Sequence, residues 1–300
     1  MSDLTKLSLN TATTKKLTIA EAASAASAAG LGGIGLWRDR VQEVGTKQAL
    51  QITKDYGLEV TSLCRGGFLT ATDPAEAQKA LEDNRLAIEE AASVGTKELI
   101  FVVGGLPACP SPGASALPYP AGAPVDPNRD LDGARKRLSD TLALLAPFAK
   151  ENGVRIVLEP LHPIFAADRA IISTLKQALD LAAPFDPDVV GVVVDTYHVW
   201  WDPDLQAQIE RAGRERRIAS YQVCDWILPL ASDPLLSRGH VGDGYIDFAA
   251  ITKWVSDAGY RGAVEVEIFN QEIWDTPAAQ TLETMSNRYL RFIAPYMNKA

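Results

Sequence analysis

The sequence predicts a single-domain α/β protein with the (β/α)8, or TIM-barrel, fold. Short apolar runs rich in Val and Ile alternate with helical stretches along the whole 300-residue chain. Such runs are typical of buried parallel strands, and eight β-α units with no remaining domain match the barrel. An open, doubly wound sheet is the alternative, but no G-x-G-x-x-G motif follows the first strand.

The elements follow one another in a regular order. The predicted strands are residues 7–10, 33–37, 58–63, 98–103, 154–158, 191–194, 218–224 and 263–266. The predicted helices are residues 18–29, 44–56, 73–94, 129–151, 170–182, 204–214, 247–258 and 277–298. Thr18 and Glu21 form a capping-box pattern, and Asp73-Pro74 is a typical helix start.

One segment interrupts this order. Residues 104–128 are rich in proline and glycine and carry hardly any charge. The segment follows the fourth strand and therefore emerges on the face where barrels place their active sites. Long loops of this kind are often lids, so we expect a substrate cover, with a passive surface loop as the alternative.

Composition limits the possible partners and the cellular setting. The chain has 29 basic and 38 acidic residues, a net charge of −9, and no basic block, which argues against nucleic-acid binding. Neither a signal peptide nor an apolar run of membrane-spanning length is recognisable, so we expect no membrane partner and a cytoplasmic location. Cys64, Cys109 and Cys224 have no paired spacing and are expected to be reduced, structural thiols.

Four polar residues lie at the ends of the last four predicted strands or within them. They are Glu159, Asp195, Gln222 and Glu267. Because the carboxyl ends of parallel strands meet at one face, three carboxylates and one amide are expected to converge there. Such carboxylates repel each other unless a cation lies among them. The pattern therefore predicts an oxygen-rich site for one divalent metal ion.

All three histidines lie just beyond predicted strands on the same face. His162 and His198 each follow a candidate carboxylate by three residues, and His240 lies in a glycine-rich segment further along. These histidines are candidates for substrate binding, although a hydrogen-bonding role within the fold is an equal alternative for each one.

Four motifs resemble those of the xylose isomerase-like TIM-barrel superfamily, and within it the sugar phosphate isomerase/epimerase and ketose 3-epimerase group. They are Leu158-Glu159-Pro160-Leu161-His162-Pro163, Val194-Asp195-Thr196-Tyr197-His198, Gln222-Val223-Cys224-Asp225-Trp226 and Glu265-Val266-Glu267-Ile268-Phe269. The resemblance extends through all eight units and is more specific for the superfamily than for a substrate.

The resemblance implies roles for particular residues. It assigns Glu159, Asp195, Gln222 and Glu267 to a Mn²⁺ or Mg²⁺ site, Glu159 and Glu267 to the catalytic acid/base pair, and His198 to substrate contact. Two departures are visible. The epimerases usually have a histidine where Gln222 stands, and an amide oxygen favours Mg²⁺ or Mn²⁺ over Zn²⁺. Asp225 is a possible compensating group, and Arg238 is the nearest candidate for the arginine that the epimerases use for substrate.

The other half of the barrel adds candidates for the rim of the pocket. Trp37-Arg38 and Cys64-Arg65 lie at or just beyond the ends of the second and third predicted strands. Aromatic rings pack against the apolar faces of sugars, and arginines bind hydroxyl, carboxylate or phosphate oxygens.

The function predicted from these observations is a metal-dependent sugar isomerase or epimerase that transfers a proton through an enediolate. A lyase acting on a keto-inositol or 3-keto-glycoside on the same barrel is the first alternative, with His162 or His240 as its general acid. A non-catalytic sugar-binding barrel is a further alternative. A nuclease is disfavoured, because the chain has only three histidines and no basic groove. A homo-oligomer is possible.

Overall fold

Eight parallel strands close into a barrel in the computed structural model, which describes residues 3–107 and 126–298. The barrel strands are β1 (Leu7–Asn10), β2 (Gly33–Trp37), β3 (Glu59–Gly67), β4 (Glu98–Val102), β5 (Arg155–Glu159), β6 (Val190–Asp195), β7 (Ile218–Val223) and β10 (Val264–Val266). Their order around the barrel is β1-β10-β7-β6-β5-β4-β3-β2. The closed sheet confirms the predicted (β/α)8 fold and excludes the open sheet.

Helices surround the barrel. They are α1 (Ile19–Ala28), α2 (Arg38–Val44), α3 (Thr46–Asp55), α4 (Pro74–Val94), α5 (Leu131–Glu151), α6 (Leu175–Ala182), α7 (Thr196–Val199), α8 (Leu205–Arg214), α9 (Phe248–Asp257), α10 (Gln271–Asp275) and α11 (Ala278–Phe292). The capping box of Thr18 with Glu21 is present at the start of α1, as predicted. Asp73 caps α4 by accepting from the backbone of Ala75 and Glu76.

Two predicted helices have different boundaries in the structure. The helix predicted over 44–56 corresponds to α3, and a helix that was not predicted, α2, precedes it and is separated from it by Gly45 at φ +83°. The helix predicted from residue 170 begins at Leu175, because Thr174 and Gln177 form a capping box there. Ala170 pairs instead with Gly104 in a short parallel bridge. Hydrophobic periodicity does not report such bridges, so the sequence placed this helix start too early.

A small hairpin above the barrel was not predicted. Strands β8 (Asp225–Trp226) and β9 (Arg238–Gly239) pair antiparallel after β7. Two-residue strands are too short to give a period-two pattern. The hairpin matters for the site because β9 carries Arg238 over the barrel mouth.

The alternation of side chains along each strand decides what enters the barrel. Cys64, Ile100, Val157 and Val193 form a small apolar cluster inside the barrel, separate from the large core between strands and helices. Because side chains alternate with period two, the residue two positions after Val157 or Val193 also points inward. Those residues are Glu159 and Asp195. The apolar layer therefore lies below the carboxylates.

Three further sequence predictions concern the loop over 104–128, the cysteines and membrane-spanning segments. Residues 108–125, most of the predicted substrate cover, and Cys109 lie outside the described residues, so the cover stays a prediction. Cys64 and Cys224 are buried free thiols. Within the described ranges, no helix combines the length and apolar character that a bilayer span requires.

Candidate metal centre and active site

Three carboxylates gather at the carboxyl ends of the barrel strands. Glu159 ends β5, Asp195 ends β6 and Glu267 follows β10, and all three are buried. Burial raises the pKa of Glu159 well above its ordinary value, and the charges of Asp195 and Glu267 raise it further. Burial also raises the pKa of Glu267 to about 7, although Arg238 opposes that change. The protein thus holds like charges together at a cost that a cation would remove.

A buried arginine lies among these carboxylates. Nη1 of Arg238 is 3.0 Å from Oε2 of Glu267 and 3.6 Å from Oδ2 of Asp195. Its guanidinium also lies over the rings of Tyr197 and Phe269, at 4.7 Å and 5.0 Å from their centroids. The hairpin therefore supplies one positive charge to the cluster, with Glu267 as its main partner.

Several buried oxygen atoms at this site have no hydrogen-bond donor among the described residues. Oδ2 of Asp195 and Oε1 of Gln222 are both in this state, and no donor contacts the Glu159 carboxylate. An unpaired buried acceptor is costly, so clustered examples indicate a missing partner. Asp195 and Gln222 are register neighbours on β6 and β7. These oxygens are the kind that hard divalent cations bind.

His198 is neutral and faces two donors. Burial lowers its pKa well below the ordinary value, and Arg238 lowers it further. The backbone N–H of His162 donates to Nδ1 of His198 at 3.2 Å, while Nη2 of Arg238 lies 3.0 Å from its Nε2. A neutral imidazole has one lone pair, so only one of these donors is satisfied at a time. If Nδ1 accepts from His162, Nε2 carries the proton and faces the Arg238 N–H without a hydrogen bond. If Nε2 accepts from Arg238, Nδ1 carries the proton and the His162 N–H loses its acceptor.

Three side chains that could bind a metal ion lie close together. Ligand atoms of Glu159, Asp195 and His198 all lie within 4.8 Å of one another, and all three residues are buried. This Glu-Asp-His group is able to bind a metal ion if Nε2 of His198 provides its lone pair. In the tautomer favoured by the His162 contact, only Glu159 and Asp195 of this group provide ligands.

A cavity of about 380 Å³ opens over this cluster. Five of the residues that the sequence singled out line it, namely Trp37, Glu159, His198, Arg238 and Glu267. Arg65, a predicted rim residue, lines it as well. The cavity is also lined by Phe68, Asp168, Arg169 and Phe269, which the sequence did not identify as pocket residues. Asp168 and Arg169 lie in an irregular segment before α6, where no periodic signal identifies them.

Other predicted substrate residues lie elsewhere. Arg38 is bonded to Asp83 and Glu90 on α4. His240 faces a separate small cavity beside α11. The His162 ring stacks on Trp226 at 4.5 Å between centroids. None of the three predicted residues is among the described residues that line the main cavity.

Asp225 was predicted to lie beside the substrate or the metal ion, but backbone donors occupy its carboxylate. It is fully buried, and its carboxylate accepts hydrogen bonds from backbone N–H groups in the loop that follows β9. The donors are Gly242, Gly244, Tyr245 and Ile246, at 2.8–3.1 Å. Both oxygens are therefore occupied, and Asp225 holds this loop in place.

A fourth inward carboxylate, Glu265, lies one layer below the site. Asn10, Thr61, Ser62 and Gln222 donate to it at 2.6–2.9 Å. Gly35 leaves room for this group, because a Cβ there would lie 2.5 Å from the carboxyl carbon. Side chains two residues apart on a strand point to the same face, so an inward Glu267 implies an inward Glu265. The sequence contained this signal.

Sequence comparisons identify several related enzymes. The chain is 27% identical over 216 residues to 3-dehydro-D-guloside 4-epimerase of Escherichia coli (strain K12), covering 71% of this chain and 73% of that one. It is 26% identical over 159 residues to inosose isomerase of Bacillus licheniformis, covering 52% of this chain and 55% of that protein. A 3-dehydroshikimate dehydratase of Pseudomonas putida is 30% identical over 158 residues, covering 50% of this chain but only 23% of that protein.

A solved structure and a family model extend the comparison to most of the chain. The crystal structure of a protein from Sinorhizobium meliloti 1021 is 40% identical, with a TM-score of 0.87 over 97% of this chain and 99% of that one. The model of the xylose isomerase-like TIM barrel matches residues 23–289. The related enzymes are mainly isomerases and epimerases, with dehydratases as minor relatives. On this match, the chain belongs to the xylose isomerase-like TIM-barrel family.

Proposed function

We propose that this protein is a divalent-metal-dependent isomerase or epimerase that moves a proton next to the carbonyl group of a ketose or related sugar. The observation that carries the proposal is the pair of buried glutamates, Glu159 and Glu267, that line one cavity. Their strands, β5 and β10, lie three positions apart around the closed barrel. The two carboxyl groups therefore approach a bound substrate from different directions. The epimerases and isomerases among the relatives support the same reaction class.

The donor set fits a divalent ion. We assign Glu159, Asp195, Gln222 and Glu267 as its ligands, because they offer three carboxylates and an amide oxygen, and the Asp195 and Gln222 oxygens are unpaired. An all-oxygen set favours Mn²⁺ or Mg²⁺. When bound, such an ion polarises a carbonyl oxygen and stabilises the negative charge that builds on it.

The two glutamates carry the proton. One carboxylate removes the proton from the carbon beside the carbonyl, and the other carboxyl group returns a proton to the opposite face or to the adjacent carbon. The first outcome is epimerisation and the second is isomerisation. Burial raises the pKa of Glu267 to about 7 without a metal ion, and a bound cation would favour its ionised form.

The remaining cavity residues orient the substrate. Trp37 donates its indole N–H to Oε1 of Glu267 at 3.2 Å and packs edge-on against Phe269. This contact holds the Glu267 carboxylate while leaving two aromatic surfaces for the apolar face of a sugar. His198 and Arg238 supply donors for substrate oxygens.

Deuterium exchange tests the proton-transfer chemistry. The protein is incubated in D₂O with Mn²⁺ and a panel of ketoses, inososes and 3-keto-glycosides, and carbon-bound deuterium is measured by NMR. We expect incorporation into one panel class and no incorporation after treatment with EDTA. Glu267→Gln should abolish exchange, and unchanged exchange in this variant would remove Glu267 from the mechanism.

Metal binding is tested separately from turnover. Calorimetric titration with Mn²⁺ should show one site per chain, and Asp195→Asn should weaken binding at least about tenfold, because an anionic ligand is lost. Asp275→Asn is the control, since Asp275 pairs with Lys16 on an exposed surface. Failure to bind any divalent ion would favour a non-catalytic sugar-binding barrel.

A lyase is the second candidate, and the dehydratase relative favours it. It would begin with the same proton removal and then expel a leaving group. The general acids suggested from sequence, His162 and His240, are not among the described residues that line the cavity. Product mass separates the two reactions: an isomerase conserves mass, whereas a lyase releases water or an aglycone.

A further inference from the structure

Arg65 is a half-buried cation in the cavity whose side chain has no polar partner among the described residues. It lies near the end of β3, and its guanidinium stacks over Phe68 at 4.3 Å and near Trp37 at 5.9 Å from the ring centroids. Stacking uses the flat face of a guanidinium and leaves the N–H groups at its edge available. Arg65 lines the cavity, and none of its five donors has a carboxylate partner among the described residues.

The other charged groups of the cavity are already paired or assigned. Arg238 is bound to Glu267, and Arg169 lies 3.2 Å from Asp233 and 3.5 Å from Asp168. These pairings leave Arg65 as the unmatched cation among the described residues that line the cavity. Residues 108–125 contain no Asp or Glu, so that segment offers Arg65 no carboxylate side chain either.

The surroundings of Arg65 favour an anion. Burial lowers the pKa of Arg65, and the nearby charges of Arg169 and Arg38 lower it further, while Cys64 and Glu159 oppose this change. A second cation in the same cavity, Arg169, is only 28% exposed, while its partners Asp168 and Asp233 are 59% and 44% exposed. An anionic group placed between Arg65 and Arg169 would gain charge-assisted hydrogen bonds from both.

The position of Arg65 defines which part of a substrate it meets. In the barrel order, β3 is two strands from β5 and three from β10, which carry the two proposed catalytic glutamates. Arg65 and these glutamates line one cavity of about 380 Å³, a volume suited to a small sugar. One substrate molecule in this cavity is therefore able to contact both Arg65 and the two glutamates.

We propose that Arg65, assisted by Arg169, binds a carboxylate or phosphate group at the end of the substrate remote from the proton-transfer glutamates, so that the substrate is an anionic sugar. This inference rests on the proposed function for the identity of the reacting end. The binding of the anion itself depends only on the arginines and the cavity.

Three probes that differ in one group test the inference. D-fructose, its 6-carboxylate (D-fructuronate) and D-fructose 6-phosphate are titrated by calorimetry into the Mn²⁺-loaded protein. We expect at least one anionic probe to bind about ten- to hundredfold more tightly than D-fructose, as for other charge-assisted contacts. The carboxylate and phosphate arms show which anion is preferred.

Variants then locate the contact. Arg65→Ala should remove the preference for the anionic probe over D-fructose, while Arg65→Lys should retain part of the preference. Arg65→Gln provides a second neutral variant should the alanine variant fold poorly. The control is Arg85→Ala, because Arg85 also lies over an aromatic ring, Phe148, but is an exposed residue of α4. Equal affinities for all probes, no binding of either anion, or an unchanged preference in the Arg65 variants would overturn the inference.

The exchange assay distinguishes this result from the proposed function. If the anion preference depends on Arg65 but no probe or panel sugar gains deuterium, the anion site stands and the proposed isomerase function fails. If neutral sugars gain deuterium as efficiently as anionic ones and Arg65→Ala changes neither rate, the isomerase function stands and the anion site fails.

Discussion

Glu265 lies on β10 and Glu267 directly follows that strand, and both are buried, yet their surroundings differ. The chain surrounds Glu265 with neutral donors from β1, β3 and β7. One layer above, Glu267 has one arginine and one indole, Asp195 has an unpaired oxygen, and the Glu159 carboxylate receives no hydrogen bond from the described residues. The lower carboxylate is complete within the protein, whereas the upper group is completed by something that binds to it.

This difference separates stability from activity. A carboxylate with a full set of donors stabilises the fold, and its loss leaves those donors unpaired. Carboxylates held together without donors destabilise the fold and are retained for their chemistry. The following changes test whether the two layers divide in this way.

The largest effect is expected on activity when the upper layer loses a catalytic carboxylate. Glu159→Gln should lower the exchange rate by at least about a thousandfold, because general acid–base groups contribute effects of this size. Its melting temperature in metal-free buffer should stay the same or rise, since like-charge repulsion is relieved. Thermal unfolding and NMR exchange measure the two quantities. A large loss of stability would mean that Glu159 is structural.

The lower layer should show the opposite result. Glu265→Gln would place an amide N–H₂ group next to the side-chain donors that surround Glu265. It would also remove the negative charge that these donors stabilise. We expect the free energy of unfolding to fall by about 2–3 kcal/mol, measured by urea denaturation. Residual exchange activity should exceed that of Glu159→Gln by a wide margin. Equal loss of activity in both variants would remove the distinction between the layers.

A substitution that crowds the Glu265 carboxylate should have a smaller effect on stability. The Cβ of Gly35→Ala would lie within 2.5–2.7 Å of the Glu265 carboxylate, so the variant should lose about 1–3 kcal/mol of stability. In a Glu265→Ser background the crowding atoms are absent, and the same Gly35→Ala change should cost much less. Additive costs in this double-mutant cycle would show that the two residues are not coupled.

The smallest effect on stability is expected for a partly buried carboxylate at the opposite end of the barrel. Glu98 begins β4, its Oε2 has no partner among the described residues, and Arg155 is 3.9 Å away. Burial raises its pKa to about 7, against an ordinary value near 4.5. Protonation therefore favours the folded state, and the stability contributed at pH 4.5 is lost as the pH rises through 7.

Replacing this carboxyl group should reveal that pH dependence. Glu98→Gln is expected to stabilise the protein by about 1–2 kcal/mol at pH 8, a figure reduced for the 21% exposure of the side chain. The gain should vanish near pH 4.5. Urea denaturation at both pH values measures it, and the exchange rate should not change. A gain that is equal at both pH values would exclude titration of Glu98 as its cause.

Some parts of this protein follow from local sequence alone. The order of strands and helices, the capping box of Thr18 with Glu21, and the inward direction of Glu159 and Asp195 all depend on periodicity and short-range hydrogen bonding. These features were predicted because neighbouring residues determine them. The oligomeric state, the cytoplasmic location and the loop over 104–128 as a cover stay predictions.

Other parts depended on contacts between distant segments. The sequence placed Asp225 and His240 near the substrate, but backbone donors surround the first and a separate cavity holds the second. It also gave no sign that Arg169, from the segment before α6, would line the same cavity as Arg65.

The amino-acid sequence by itself determined the barrel and the strand ends at which its carboxylates lie, because the period-two alternation and the β-α order are local properties. Only the tertiary structure decided which buried charges are paired. Pairing depends on where the short hairpin carries Arg238 and on which donors reach Glu265. The difference between a complete carboxylate and an open one is a property of three-dimensional neighbours, and no pattern along the chain encodes it.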